Sequence, residues 1–415
     1  MTINNEHKKL NVPNLRFPEF QGEWEKCILG DYGKVVTGNT PPTKDIENYE
    51  NGTYLWASPA DLSTIKLISE TKTKLSSKGF SKTRALPKGS VLVTCIGSTI
   101  GKTGMATKEM STNQQINSIV VNDNNDNEFV YYAIQSAFPR YLSSIAVQAV
   151  PIISKSAFEM LPNKRPCLQE QKKIGKFLSL LDERIATQNK IIEDLKKLKS
   201  AIIEKVFCSP NQKNPMCRIE GFEQALSTYK MSDFSSRIAT KNKDSKCSLV
   251  LTIAAQYGLV NQESFFNKSV ASKNLTGYYL LHKGEFAYNR SYSAGYDWGA
   301  VKRLDNYDEG VLSTLYICFK INETIVDSDY LTYYFESTKW HRGLSDIAGE
   351  GARNHGLLNV SITDYFNTKH RFPVIEEQKA IAKMLNTITE KERKATLLGE
   401  CYQKQKQYLL RQMFI

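Results

Sequence analysis

A ladder of apolar positions, spaced three and four residues apart, runs through the middle of the chain. Between Gln169 and Phe207 there is no proline and a single glycine, Gly175. This pattern is typical of one face of an amphipathic helix, so the sequence predicts a helix of about 40 residues, roughly 60 Å long, that begins after Pro166. Eight of the ten ladder positions are apolar: Ile174, Leu178, Leu181, Ile185, Gln188, Ile192, Leu195, Lys199, Ile202 and Val206.

A second, weaker ladder of the same phase lies near the end of the sequence. Its positions are Ile381, Leu385, Ile388, Glu392, Ala395, Gly399, Tyr402, Lys406, Leu409 and Met413. Neither helix can bury its stripe alone, so we expect the two to pair as a coiled coil through the apolar members of both ladders. The alternative, in which each helix packs only on its own domain, stays open at this point.

The two helices belong to an internal repeat. The segment Pro166–Ile174 (PCLQEQKKI) returns as Pro373–Ile381 (PVIEEQKAI), 207 residues later in a chain of 415. Weaker matches at offsets of 202 and 201 residues link the globular parts, for example Phe129–Tyr132 with Tyr330–Tyr333. The sequence therefore predicts two tandem copies of one plan, each a divergent globular region followed by a long helix.

Apolar runs bounded by glycine and asparagine predict strands inside both globular regions. They lie at Val91–Ile96, Ile116–Val121, Leu249–Ile253 and Val311–Ile317, and short helices are predicted at Glu128–Phe138 and Asp329–Thr338. The predicted class is α+β (mixed α/β). The expected divisions are a first globular region (1–165), a central helix (166–208), a second globular region (209–372) and a C-terminal helix (373–415).

Composition points to an acidic partner. The chain has 55 Lys and Arg against 43 Asp and Glu, a net charge of +12, and its pI is about 9.1. Nucleic acid is then the first polymer to consider. The polar start has no apolar signal segment, and no run approaches the ~18 apolar residues that a membrane span needs, so we expect a cytoplasmic protein without a membrane partner.

No motif predicts a catalytic or metal site. The eight cysteines contain no CxxC pair and the five histidines no HExxH pair. The turn Gly97–Thr103 resembles a phosphate loop but has three residues before its Gly-Lys pair, where that loop needs four. Glu170 and Glu377 mimic nuclease E-x-K triplets, but they fall in the first turn of a helix, where the macrodipole favours a capping glutamate.

Basic residues of the first globular region are candidates for phosphate contact. Between Lys66 and Lys88 there are seven basic residues and a single acidic one, Glu70. Ammonium and hydroxyl groups both bind phosphate oxygens, although a solvated basic face explains the run equally well. The candidates for DNA binding are Lys72, Lys74, Lys78, Lys82, Arg84 and, in the glycine turn, Lys102.

In the second region, arginine, asparagine and tyrosine side chains are interleaved in a way that suits base edges and phosphates. The candidates are Asn289, Arg290 and Tyr292, together with Arg353 and Asn354 in the glycine-flanked segment 349–356, which we expect to be a mobile loop. Many of the neighbouring aromatic residues are equally expected to be core.

This arrangement resembles the DNA-specificity subunits of type I restriction–modification systems. The residues that carry the resemblance are the twin P-x-x-x-E-Q-K-x-I segments at Pro166–Ile174 and Pro373–Ile381. They are supported by the turn and strand that begin at Lys88, the Ile100–Lys102 turn and the segment Thr112–Gln115. The resemblance extends over nearly the whole chain in organisation, but residue by residue mainly over the repeated helices.

The resemblance implies a function that the motifs do not. It makes each globular region a target-recognition domain that reads half of a bipartite DNA sequence, and it makes the helices an antiparallel coiled coil that spaces the half-sites, with a pseudo-twofold repeat. The chain would be non-catalytic. Two methylation subunits would use S-adenosylmethionine, and two restriction subunits would use ATP and Mg²⁺. A non-enzymatic coiled-coil scaffold and a nuclease with an unrecognised site stay open as alternatives.

Overall fold

Short strands arranged in small sheets build both globular regions. The computed structural model describes residues 11–62, 66–144, 152–268, 274–291, 295–347, 353–354, 357–358 and 360–415. The chain forms two compact units, Met1–Lys190 with Thr396–Ile415, and Ile191–Ala395. No helix within the described residues has the length and apolar character needed to cross a membrane.

The first unit is built on a five-stranded sheet in the order β2-β9-β6-β7-β4, beside a three-stranded sheet β5-β3-β8 and the pair β1-β10. Its strands are β1 (Glu25–Ile28), β2 (Gly33–Thr37), β3 (Tyr54–Ala57), β4 (Leu67–Ile68), β5 (Thr73–Leu75), β6 (Val91–Thr94), β7 (Thr103–Ala106), β8 (Met110–Thr112), β9 (Ile116–Val121) and β10 (Pro162–Arg165). Its helices are α1 (Ser77–Ser81), α2 (Asn127–Ser144), α3 (Lys155–Glu159) and the first part of α4 (Leu168–Val206).

The second unit is built on a four-stranded sheet in the order β12-β19-β16-β17, with four two-stranded pairs. Its strands are β11 (Ser227–Lys230), β12 (Ser235–Arg237), β13 (Leu251–Ala254), β14 (Gly258–Asn261), β15 (Tyr279–His282), β16 (Phe286–Asn289), β17 (Ala300–Arg303), β18 (Glu309–Leu312), β19 (Ile317–Ile321), β20 (Arg353–Asn354), β21 (Leu357–Leu358) and β22 (Lys369–Phe372). Its helices are α5 (Met231–Phe234), α6 (Gln262–Phe266), α7 (Ser328–Tyr334), α8 (His341–Ser345), α9 (Ile362–Asn367) and most of α10 (Ile375–Met413).

Part of the sheet order is the same in both units. The antiparallel order β2-β9-β6-β7 of the first unit corresponds to β12-β19-β16-β17 of the second, and the pair β1-β10 corresponds to β11-β22. The strands outside these sets pair differently, and they include the middle regions where the sequences of the two copies scarcely align. The mixed helix-and-strand class predicted from the sequence is confirmed.

The two long helices have the positions of their apolar ladders on the side that is shielded from solvent. Every ladder position of α4 and α10 is buried or half-buried, whereas Phe177, Leu180, Ile191 and Leu198 point outward and are exposed. In the first unit, Asp182 of α4 pairs with Lys406 of α10 at 2.6 Å. In the second unit, Lys199 of α4 pairs with Glu392 of α10 at 2.6 Å.

The core of the first unit includes both ends of the described chain. Trp24, which follows the N-terminal segment, packs against Phe414 with ring centroids 6.1 Å apart, and both contact Phe129 of α2. The backbone N–H of Leu15 donates to the carbonyl of Gln412 at 2.9 Å. Residues of α10 therefore complete a hydrophobic core that begins with the first strands of the chain.

One predicted strand is wrong as a single element. The run Val311–Ile317 is divided between β18 and β19 by a turn in which the N–H of Tyr316 donates to the carbonyl of Ser313 at 3.2 Å. The first unit has the equivalent turn, because the N–H of Ile116 donates to the carbonyl of Asn113 at 3.2 Å between β8 and β9. Both sides of such a turn are apolar, so hydrophobicity alone does not locate it.

Candidate functional site

The repeated motif begins with a buried ion pair. Glu170, in the first turn of α4, is 1% exposed and receives two hydrogen bonds from Arg16, Nε to Oε1 at 2.8 Å and Nη2 to Oε2 at 2.7 Å. The indole of Trp24 donates to the same carboxylate at 3.4 Å. Hydrogen bonding to Glu170 raises the pKa of the Arg16 guanidinium. This two-pronged geometry is the strong form of an arginine–carboxylate pair.

The next residue, Gln171, connects α4 to the turn before α2. Its side-chain carbonyl accepts from the backbone N–H of Asp126 at 3.1 Å. Its amide donates to Asn125 Oδ1 at 3.2 Å and to the carbonyl of Pro166 at 3.0 Å. Gln171 is 1% exposed, so its amide is out of reach of water, and these bonds satisfy its hydrogen-bonding groups instead.

The second unit repeats both sets of contacts. Arg218 pairs with Glu377 at 2.8 and 2.6 Å. Gln378 accepts from the N–H of Asp327 at 2.9 Å and donates to the carbonyls of Ile325 and Pro373 at 3.0 and 2.9 Å. The motif E-Q therefore ties the same three segments together in each unit.

These contacts correct the helix-capping role that the sequence predicted for Glu170 and Glu377. They lie in the first turn of a helix as predicted, but their carboxylates bind arginines from the preceding segments and do not simply cap the helix. Arg16 and Arg218 were missed by the sequence analysis. They are 202 residues apart, the offset already seen between the globular parts, so aligning the segments before each first strand would have found them.

Three of the predicted phosphate-binding lysines are already paired with acids. Lys74 pairs with Glu70 at 2.7 Å, Lys78 with Glu47 and with Asp45 at 3.4 Å, and Lys82 with Asp45 at 3.0 Å. All three side chains are more than a third exposed, so these are surface pairs that solvent screens and DNA phosphates could replace.

The other candidates of the first unit differ in their surroundings. Lys72 and Lys102 are exposed, and neither ammonium forms an ion pair within the described residues, although the backbone N–H of Lys72 donates to Asp61 Oδ1 at 2.7 Å. Lys102 follows the turn Gly97–Gly101, and its own segment continues into β7, so no helix begins at the glycine turn. Arg84 is exposed, and its guanidinium donates to the carbonyl of Thr37 at 2.6 Å.

Lys66 does not belong with the exposed lysines of its run. The prediction of a solvent-facing basic segment is wrong at this position, because Lys66 is only 8% exposed and its ammonium contacts Glu128 at 2.7 Å. A run of charges in sequence does not show which member points inward, since the segment 66–88 contains two strands and a helix that turn successive side chains in different directions.

The candidates of the second unit have structural partners of their own. Arg290 donates to the carbonyls of Val360 and Leu315, both at 3.1 Å, and Asn289 accepts from the N–H of Ser291 at 3.0 Å. Arg353 and Asn354 form β20, which pairs with β21, so this part of the expected mobile loop is an antiparallel hairpin. Tyr292 lies outside the described residues.

The described residues contain no group of three or more His, Cys, Asp and Glu placed to hold a metal ion. The site that the geometry does bring together is the doubled E-Q junction, with basic residues on the surface of the unit that carries the first copy.

Part of the chain is similar to one known family. Residues 21–197, which include the first E-Q junction, match the family model described as the Type I restriction modification DNA specificity domain. Over this part, the chain is similar to the specificity subunits of type I restriction–modification systems.

Curated members of the specificity-subunit family match part of the chain. The MjaIX specificity subunit of Methanocaldococcus jannaschii is 29% identical over 191 residues, 45% of this chain and 44% of that protein. The MjaVIII subunit of the same organism is 30% identical over 198 residues, 46% and 43% of the two chains. The HindI subunit of Haemophilus influenzae is 29% identical over 186 residues, 42% and 39%. Each match therefore spans less than half of the relative.

Solved structures of the family share the fold over most of the chain. The S subunit from M. genitalium superposes with a TM-score of 0.59 at 17% identity and covers 97% of this chain and 99% of that one. A chain from a structure of type I restriction–modification complex assembly has a TM-score of 0.54 at 14% identity, with coverages of 93% and 96%. At these identities the likeness is one of fold.

Proposed function

We propose that this chain is the sequence-specific DNA-binding subunit of a type I restriction–modification complex. In this role it reads a bipartite target in double-stranded DNA and directs adenine methylation and restriction by its partners. The observation that carries the proposal is the specificity domain at residues 21–197. The second unit supports it, because the same E-Q contacts recur there around Glu377 and Gln378.

In this proposal the chain itself is not an enzyme. The chemistry resides in two methylation subunits, which use S-adenosylmethionine, and in two restriction (translocase and endonuclease) subunits, which use ATP and Mg²⁺. A chain with two similar units suits two copies of a partner, because a repeat offers the same outer surface twice. The complex would act in the cytoplasm, where its DNA is.

The two globular regions would act as target-recognition domains and the long helices as their spacer. From the pair Asp182–Lys406 to the pair Lys199–Glu392, the residue number rises along α4 and falls along α10. Antiparallel helices require this order. The inner placement of both ladders fits an antiparallel coiled coil with a pseudo-twofold repeat. On this view the length of the helices determines the gap between half-sites.

DNA contacts would come from two kinds of side chain. Lys72 and Lys102 are exposed, and neither ammonium forms an ion pair among the described residues, which suits phosphate contacts that position the protein without reading sequence. Arg353 and Asn354, on the hairpin β20–β21, are our proposed base readers in the second unit.

The test is co-expression with the methylation subunit encoded beside this chain, followed by mapping of N6-methyladenine across the host genome. We expect one split motif with a fixed gap. A stable complex that methylates adenine without a shared motif would contradict sequence-specific reading. A chain that forms no complex and shows no salt-sensitive binding to one split sequence would favour the scaffold alternative.

A further inference from the structure

A buried cation joins the sheet of the first unit to two helices. The ammonium of Lys66, just before β4, donates to Glu128 Oε2 at 2.7 Å, to Ser179 Oγ at 2.9 Å and to Tyr132 Oη at 3.3 Å. Glu128 and Tyr132 belong to α2, and Ser179 belongs to α4. An ammonium has three N–H donors, and all three are used here.

The network continues to the second long helix within the same unit. Tyr132 donates to Asp182 Oδ2 at 2.5 Å, and Asp182 Oδ1 accepts from Lys406 at 2.6 Å. Burial and the neighbouring Asp182 raise the pKa of Tyr132, so its hydroxyl stays protonated and can donate this hydrogen bond. The ammonium groups of Lys66 and Lys406 each lie 5.4 Å from the centroid of the Tyr132 ring.

A corresponding network lies in the second unit. Arg303 pairs with Asp329 at 2.8 Å, and Asn386 donates to Asp329 Oδ2 at 2.8 Å. Tyr333 donates to Asn386 Oδ1 at 2.7 Å and lies 3.0 Å from Thr389 Oγ1. At the repeat offsets of 201 and 207 residues, Asp329, Tyr333, Asn386 and Thr389 occupy the positions of Glu128, Tyr132, Ser179 and Asp182. Among these four, Asp329 is the one that contacts Arg303, which also pairs with Asp305 at 2.6 Å.

The cation itself comes from a different place in the sequence of each copy. Arg303 ends β17, whereas Lys66 lies before β4. The carbonyl of Lys66 accepts from the N–H of Met105 in β7 at 2.7 Å. Because β7 corresponds to β17, which contains Arg303, the two cations lie at equivalent strands of their units. Two unrelated segments therefore supply a positive charge to equivalent carboxylates, Glu128 and Asp329.

Such an ion pair is a weak source of stability, because desolvation offsets much of the attraction at the buried Lys66 and solvent screens Asp329, whose side chain is 43% exposed. Its hydrogen bonds do, however, restrict the directions in which the joined elements can lie. Both copies have a cation here, although different segments supply it. This is better explained if the cation holds the joined elements in one orientation than if it stabilises the fold.

We propose that these two networks, which we call the polar joints, fix the angle at which each recognition region is held on its long helices. The first joint comprises Lys66, Glu128, Tyr132, Ser179, Asp182 and Lys406, and the second comprises Arg303, Asp329, Tyr333, Asn386 and Thr389. The proposal rests on the proposed function and adds to it a set of residues that restricts the gap between the two DNA half-sites to one length. One base-pair step is about 3.4 Å, so a small tilt moves a reading surface to the next step.

The experiment uses Lys66→Met in the full chain, co-expressed with the methylation subunit, with N6-methyladenine mapping as the readout. We expect unchanged half-sites and about a tenfold rise in methylation at sites whose gap differs by one base pair, which corresponds to about 1.4 kcal/mol of lost discrimination. Lys66→Arg retains the cation and should keep the gap closer to that of the wild type. Lys26→Met, at an exposed lysine of β1 in the same unit that has no proposed role in DNA binding, is the matched control and should leave the gap unchanged.

A single unchanged gap in Lys66→Met, accompanied only by a lower melting temperature, would overturn the proposal and leave the joint a merely stabilising contact. A wild-type chain that yields no split motif would instead refute the proposed function itself. Where Lys66→Met does not fold, Ser179→Ala and Arg303→Met take its place, because each removes part of one joint. Retention of the single gap by both of these would count against the joints in the same way.

Discussion

At the scale of single residues, the repeated motif has a physical meaning that its sequence alone did not reveal. Glu170 binds Arg16 from the segment before β1, and Gln171 binds the turn before α2. The motif therefore marks the point where the chain before the domain, the domain and the long helix meet. The sequence predicted the position of these residues, but not their partners, because the partners lie 45 and 154 residues away.

Replacing Gln171 with leucine tests the importance of this junction for stability. The change leaves the N–H of Asp126 and the carbonyl of Pro166 without a partner in a buried place, so we expect a loss of about 1–3 kcal/mol in the free energy of unfolding. Urea unfolding followed by circular dichroism measures it. Gln169→Leu, on the exposed side of the same helical turn, is the control. Equal effects of the two changes would contradict the role of the buried bonds.

His370 gives the second unit a dependence on pH. Burial lowers its pKa to about 3, and its ring nitrogens lie 3.0 Å from Tyr334 Oη and 2.8 Å from Thr368 Oγ1. The imidazole is neutral in the folded unit, but the unfolded chain binds a proton below a pKa of about 6.5. Acid therefore favours unfolding, and this contribution to stability is lost as the pH falls from about 6.5 toward the folded value.

We expect the free energy of unfolding of the second unit to fall by up to about 1.4 kcal/mol for each pH unit below this range. The matched variant is His370→Asn, since the repeat places Asn163 at the equivalent position of the first unit. Denaturant unfolding at pH 7 and pH 5, followed through Trp340 of the same core, measures the difference. A slope that survives in His370→Asn would assign the acid sensitivity to other groups.

At the scale of elements, the long helices were predicted well and the strands less so. The ladders gave α4 and α10 to within a few residues, because a helical period sustained over ten positions leaves little choice. The strand Ile116–Val121 was predicted with the observed bounds, whereas Val311–Ile317 crossed a turn. Short strands are recognised by few residues, and pairs such as β1–β10 form only when distant segments meet.

Lengthening the spacer tests whether the helices set the gap. A heptad inserted in α4 within 191–198, with a matching heptad at the facing part of α10, preserves the ladder phase and adds about 10.5 Å. We expect both half-sites to stay the same and the gap to grow by up to about three base pairs, because each step is about 3.4 Å. Methylome sequencing reads the new gap, and an unchanged gap would refute the spacer role.

At the scale of the whole molecule, the path of the chain separates residues that share a core. The first unit combines Met1–Lys190 with Thr396–Ile415, whereas the second is the continuous stretch Ile191–Ala395. The sequence predicted two globular regions and two helices in series, but it could not show that the far end of α10 belongs with the first region. Phe414 is one apolar residue among many until its contact with Trp24 is known.

Truncating Phe414 should therefore damage the first unit. Phe414→Ala removes a side chain that is 8% exposed and contacts Phe129, and we expect a loss of about 3 kcal/mol in the stability of that unit. Hydrogen–deuterium exchange resolved by peptide should show faster exchange in β2, β6 and β9 but not in β16 and β19. Tyr408→Ala, at an exposed position of the helix α10 that precedes Phe414, is the control. Faster exchange confined to the second unit would contradict this assignment.

The same arrangement sets an order of events during synthesis. Residues 191–395 leave the ribosome as one continuous stretch and can form their core while translation continues. The domain that is made first lacks Leu409, Met413 and Phe414 until the end of α10 emerges. Throughout that interval its apolar groove around Trp24 and Phe129 is uncovered, which makes the nascent first domain, rather than the second, the natural client of a chaperone.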